Sequence, residues 1–98
     1  MTITEIKEAN KAAGFHFFER DTVRFFRSKI CSEVYDGPRY SFFVTSEIGP
    51  DEIQRYTVRR YNHETHNVGT EGPFHKYERK RGAIEAAKRA RGASYAQL

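Results

Sequence analysis

The stretch RYSFFVTSEIGPDEIQRYTVRRY, Arg39 to Tyr61, decides the fold. Arg39 to Ile48 is rich in β-formers, and Tyr40, Phe42 and Val44 alternate with Ser41, Phe43 and Thr45, the two-residue period of a strand. Gly49-Pro50-Asp51 turns the chain. Gln54 to Tyr61 repeats the period, with Tyr56 and Val58 on one face and Arg55, Thr57 and Arg59 on the other. With the apolar pair inward, Arg55, Thr57 and Arg59 are expected to face outward, spaced by about 6.6 Å per two residues. That spacing matches the scale of successive backbone phosphates.

Downstream, Asn62 to Asn67 is polar and reads as a hairpin loop, followed by a weaker strand over Val68 to Glu71 that Gly72-Pro73 breaks. A helix is expected from Glu78 or Arg79, with Ala83, Ala87 and Ala90 at i, i+4 and i+7 and Ile84 flanking them, ended by Gly92. Its alanine stripe permits close approach, so the helix is expected to lie across the sheet. Upstream, Asp36-Gly37-Pro38 marks a turn. Asp21 is expected to cap a helix reaching about Lys29, with Val23, Phe26 and Ile30 on one face. The run Phe15-His16-Phe17-Phe18 is too dense in rings to be surface loop throughout. Thr4 to Ala13 reads as a first helix, capped by Thr2 or Thr4 and stopped by Gly14. The expectation is an α+β fold in one domain over residues 1–98: two short N-terminal helices, a three-stranded antiparallel meander, and a C-terminal helix packed on the sheet.

Composition bounds the function. An aromatic share of 14% in 98 residues supplies enough ring area to argue against a disordered chain, and the excess suits a homodimer. No apolar run of about 18 residues occurs, so no membrane span is expected. Met1-Thr2-Ile3-Thr4-Glu5 lacks the basic and apolar regions of a secretory signal, and the single Cys31 forbids an internal disulfide, so a cytoplasmic location is expected. The net charge of +4 is localised: residues 1–75 hold 10 Lys/Arg against 11 Asp/Glu, whereas residues 76–98 hold 7 against 2. Lys76, Arg79, Lys80 and Arg81 gather where the last helix begins, with Lys88 and Arg89 further along it. Cations at the positive end of a helix dipole are unfavourable for the helix alone, so they point to a bound anion unless Glu78 and Glu71 compensate them.

Catalytic chemistry is thinly supported. His63-Glu64-Thr65-His66 is one residue short of the four-residue spacing that puts two zinc ligands on one helix face, and its histidines are expected to be solvated in a loop. Cys31 could be activated by Arg27 or Lys29, but no residue is singled out as its base. The glycines form no strand–loop–helix phosphate cradle. No enzyme activity, metal or cofactor is expected. Arg55, Arg59, Lys76, Arg79, Lys80, Arg81, Lys88 and Arg89 are instead expected to form one exposed face that meets nucleic acid or a nucleic-acid-handling complex.

The stretch Lys80-Arg81-Gly82-Ala83-Ile84-Glu85-Ala86-Ala87-Lys88-Arg89-Ala90 resembles the second helix of double-stranded-RNA-binding domains. In those domains the basic helix start grips phosphates across the major groove, which implies that role for Lys80 and Arg81. The meander plus helix also resembles the small sheet domains at the amino end of phage-type recombinases, which read DNA with the outer sheet face. Through Gly14 to Phe18, Tyr56 to Arg59 and the alanine-rich helix, the whole chain resembles small phage-borne proteins of unknown function, a group that includes anti-CRISPR inhibitors. That resemblance implies a non-catalytic protein docking on nucleic acid or on a nucleoprotein complex such as a CRISPR–Cas effector. The alternative is a regulatory domain that binds DNA or RNA directly.

Overall fold

The two strands read from Arg39 to Tyr61 are the centre of the molecule in the computed structural model, which describes residues 1–96 and, at Phe25 and Phe26, the backbone only. Along the chain run α1 (Ile3–Ala12), α2 (Arg20–Phe26), β1 (Lys29–Ile30), β2 (Tyr35–Asp36), β3 (Tyr40–Ile48), β4 (Gln54–Asn62), β5 (Val68–Thr70) and α3 (Lys80–Tyr95). β3 and β4 pair antiparallel from Tyr40 opposite Asn62 to Ile48 opposite Gln54. β5 continues the sheet beyond β4, as the hairpin loop required.

The sheet has five strands rather than the expected three, because β1 and β2 both pair with the free edge of β3. Each is two residues long, too short to show any alternation in the sequence. Ile30, expected on the second helix, is opposite Thr45 in the sheet. The helix stops earlier than expected because Arg27 adopts the left-handed conformation at φ 51°, with its N–H bonded back to Arg24 and Val23 carbonyls. It also starts earlier, with Glu19 rather than Asp21 at the N-cap position. The expected core role of Phe26 lies outside the described side chains.

Both faces of the sheet are covered. Phe42, Val44 and Val58 face α3, whose Ala83 and Ala87 are fully buried, so the alanine stripe brings the helix close to the strands. Phe43 and Tyr61 face the other way, against Ile6 of α1 and the ring pair Phe17 and Phe18. Burying each such large apolar side chain contributes about 1.5–3 kcal/mol. α1 is fixed by a capping box in which the Thr2 hydroxyl accepts from the Glu5 N–H and the Glu5 carboxylate accepts from the Thr2 N–H. Gly14, at φ 89°, turns the chain out of that helix, the role expected of it.

Gly92 does not end α3, which continues to Tyr95. The last turn is held from outside, since Ser94 lies close to the buried Gly37 and the Tyr95 hydroxyl donates to the Asp36 carbonyl. Tertiary contact outweighs the roughly 1 kcal/mol that a mid-helix glycine costs.

Candidate functional site

The β4 residues expected in an outward row do not form one. Arg59 and Thr57 are buried, because Phe17 and Phe74 cover Arg59 and the backbone N–H of His75 donates to the Thr57 hydroxyl on the face they share. The Arg59 guanidinium donates to Thr45 Oγ1 at 3.0 Å, to Thr70 Oγ1 at 3.0 Å and to Glu47 Oε2 at 3.3 Å. It also sits between the rings of Phe17 and Phe74, 5.2 and 5.3 Å from their centroids. Glu47 is itself buried and accepts from the hydroxyls of Thr57 at 2.6 Å and Ser28 at 2.9 Å. Burial pulls the Arg59 pKa down against the opposing pull of Glu47, as expected for an ion removed from water. Arg55 lies on this same face and pairs with Asp51 at 2.9 Å. Sequence reasoning missed Glu47, although the signal was present: a carboxylate two residues after Thr45, on the strand face that meets Arg59.

The remaining predicted cations are on the α3 side of the sheet, so the expected single face is divided between the two sides. Arg79 is the N-cap of α3, makes no side-chain cap bond, and is followed by a first turn with no acidic residue. Arg79, Lys80, Arg81, Lys88 and Arg89 are all exposed. Glu71, one expected compensator, is engaged by Arg60 at 3.2 Å. Arg81 reaches the exposed Glu85 at 3.3 Å, a pairing worth only a few tenths of a kcal/mol on an exposed helix. Lys76 places its ammonium over the Tyr77 ring. Lys88 and Arg91 lie over the ring of Tyr35 on the β2 side, a use of Arg91 that its spacing of three residues from Lys88 could have suggested. Arg89 lines a hollow of about 290 Å³ beside Glu71 and Gly72 on the β5 side. The cations of α3 therefore flank the helix on both sides.

The groups considered for catalysis are engaged otherwise. Burial pushes the Cys31 thiol up, and the cation that acts against this is Lys80 rather than Arg27 or Lys29. The thiol is directed at the Val44 carbonyl, 3.5 Å away. The loop histidines are not simply solvated: His66 Nδ1 is 2.7 Å from the Tyr61 hydroxyl, and His63 Nε2 is 2.7 Å from Ser41 Oγ. Ser41 also donates to Asp36 Oδ1 at 2.6 Å. Its one proton is thereby spent on the carboxylate, so His63 must donate to Ser41 rather than take its proton. A hydrolytic serine needs the opposite order, with the carboxylate on the far ring nitrogen, and Ser41 is wholly buried. Among the described residues no cluster of three or more His, Cys, Asp or Glu side chains is placed to hold a metal ion. Among the described residues, too, no helix is long and apolar enough to cross a membrane.

A family model described as "Family of unknown function (DUF7447)" matches residues 2–88, which takes in α1 through the first half of α3 and stops before Arg89. No curated protein and no solved structure matches the chain.

Proposed function

We propose that this chain, which belongs to DUF7447, is a non-catalytic binding protein whose α3 engages the phosphate backbone of a nucleic acid, free or within a nucleoprotein complex. The observation that carries the reading is the set of exposed cations around an α3 whose first turn holds no acidic residue. An anion at that end would meet free N–H groups, the positive dipole end and three adjacent cations, Arg79, Lys80 and Arg81. The distribution over both flanks suits a helix about 10–12 Å wide lying in a duplex groove about 12 Å wide, where a phosphate strand lies on each side. The resemblance to small phage-borne proteins implies, as one such partner, a nucleic-acid-handling complex such as a CRISPR–Cas effector. Arg55 and Arg59 are not part of this surface.

The test is fluorescence anisotropy with a short DNA duplex and its RNA counterpart across a salt series. Direct backbone contact gives a slope of log affinity against log salt near −0.9 per phosphate neutralised on duplex DNA. The pair Lys80→Glu with Arg81→Glu is expected to abolish binding while leaving the circular dichroism spectrum intact, since both side chains are exposed. Unchanged affinity in that folded variant removes α3 from the interface.

A further inference from the structure

On the other side of the sheet from α3, a groove of about 640 Å³ opens between α1, α2 and the β1 edge. Its apolar lining comes from Phe17, Phe18, Val23 and Ile30. Its charges are Lys7, Arg20, Arg24 and Lys29, and among the described residues no Asp or Glu lines it. None of the four forms an ion pair among the described residues, although the chain carries 13 acidic residues. Four like charges around one apolar opening repel each other, and nothing within the groove offsets that repulsion.

We propose that this groove docks an acidic segment of a partner protein, with an apolar side chain of that segment seated on the apolar lining and flanking carboxylates on the four cations. Charge complementarity sets the sign of the occupant, and the hydrogen-bonding inventory sets its class. The side-chain oxygens available are the hydroxyls of Ser28 and Thr45, and both are committed: Ser28 donates to Glu47 and Thr45 accepts from Arg59. The groove's side chains thus offer four cationic donors and an apolar floor against two partly engaged hydroxyls. An adenine or cytosine edge presents an amino donor that calls for an acceptor, and stacking any base needs an available ring face. Phe18 already stacks on Phe43 and has the Lys7 ammonium over its ring, while Phe17 is covered by Arg59. A peptide carboxylate needs donors alone, and its apolar neighbour needs only the floor. A groove of about 640 Å³ fits one anchoring side chain with its flanks. The site stands apart from the α3 reading, because the sheet separates the two.

The probe is a fluorescein-labelled hexapeptide of Asp and Glu around a central Phe, compared with the same peptide carrying Ser at the centre and with a single-stranded thymidine oligonucleotide of equal charge. Amide chemical shifts of the full chain are expected to move at Phe17, Phe18, Val23 and Ile30 on adding the Phe peptide. Replacing the central Phe by Ser, or making the exposed pair Arg20→Glu with Arg24→Glu, is expected to weaken binding by about tenfold or more. Arg39→Glu, a charge reversal remote from the groove, is expected to leave the affinity unchanged. Should the double variant unfold, Lys7→Glu, at an exposed position of α1, reads the same rim. The proposal is overturned if the shifts fall elsewhere, if groove variants leave the affinity untouched, or if they weaken the oligonucleotide as much as the peptide.

Discussion

Glu47 and Arg59 are 1% and 6% exposed, and each side chain would be costly to bury without the other. The hydroxyls of Ser28, Thr45, Thr57 and Thr70 each bond to one of the two, so the pair acts as a clamp joining β3, β4, β5 and Ser28. Arg59→Met strands a carboxylate in that interior and is expected to cost about 3–5 kcal/mol in urea unfolding. Glu47→Gln combined with Arg59→Met is expected to cost clearly less than the sum of the single changes, because the second removes the charge left by the first. A merely additive double variant rules out the coupling. Asp36 tests another contact. Burial acts to raise its pKa, but hydrogen bonds from the chain's amino terminus and Ser41 outweigh this and hold it below the usual carboxylate range. A lowered folded-state pKa contributes stability above the unfolded value and loses it as pH falls through the folded value. Asp36→Asn is therefore expected to be destabilising at pH 7, with the difference from wild type shrinking below pH of about 4. A difference that persists undiminished in acid would assign the effect to shape instead of charge. Alternation in β4 was legible as two faces, but it could not say that both are covered. That depended on where the segments carrying Phe17 and Phe74–His75 fold back, a long-range fact that no local period carries.

At the scale of elements, long periodic segments were readable and short ones were not. β3, β4, α1 and α3 each announce themselves by period or cap, whereas β1 and β2 exist only because β3 offers an edge to pair with. The same rule explains Gly92, a local stop signal overruled by the docking of the last turn of α3 near Gly37. Two glycines should then respond in opposite directions. Space around Gly92 is open and its backbone is helical, so Gly92→Ala is expected to raise stability by about 0.4–1 kcal/mol. At Gly37 an added methyl would come within 2.7 Å of Ser94 Oγ and 2.9 Å of the Tyr40 carbonyl. Gly37→Ala is expected to be destabilising and to loosen the end of α3, which the melting temperature and helical ellipticity report together. A stabilised Gly37→Ala variant would show that the helix end does not depend on that approach.

For the whole molecule, the decisive feature is that one sheet keeps two cationic surfaces apart. The basic quarter of the chain was legible as a count, and its placement along α3 followed from helical spacing. The groove cations were not legible, because Lys7, Arg20, Arg24 and Lys29 come from separate segments that balance acidic neighbours in the sequence and converge only in space. A net charge of +4 could by itself draw the protein to any polyanion, so general attraction has to be separated from a built surface. Lys88→Glu with Arg89→Glu and Lys11→Glu with Arg39→Glu each remove two positive and add two negative charges, and all four side chains are exposed. If α3 straddles phosphate strands through its flanks, the first pair should reduce duplex affinity steeply and flatten the salt slope by about one to two phosphates' worth. The second pair, identical in net charge, should shift affinity only slightly and leave the slope near that of the wild type. Equal losses from the two pairs would mean that total charge alone attracts the polyanion and that the arrangement of cations on α3 contributes nothing to binding.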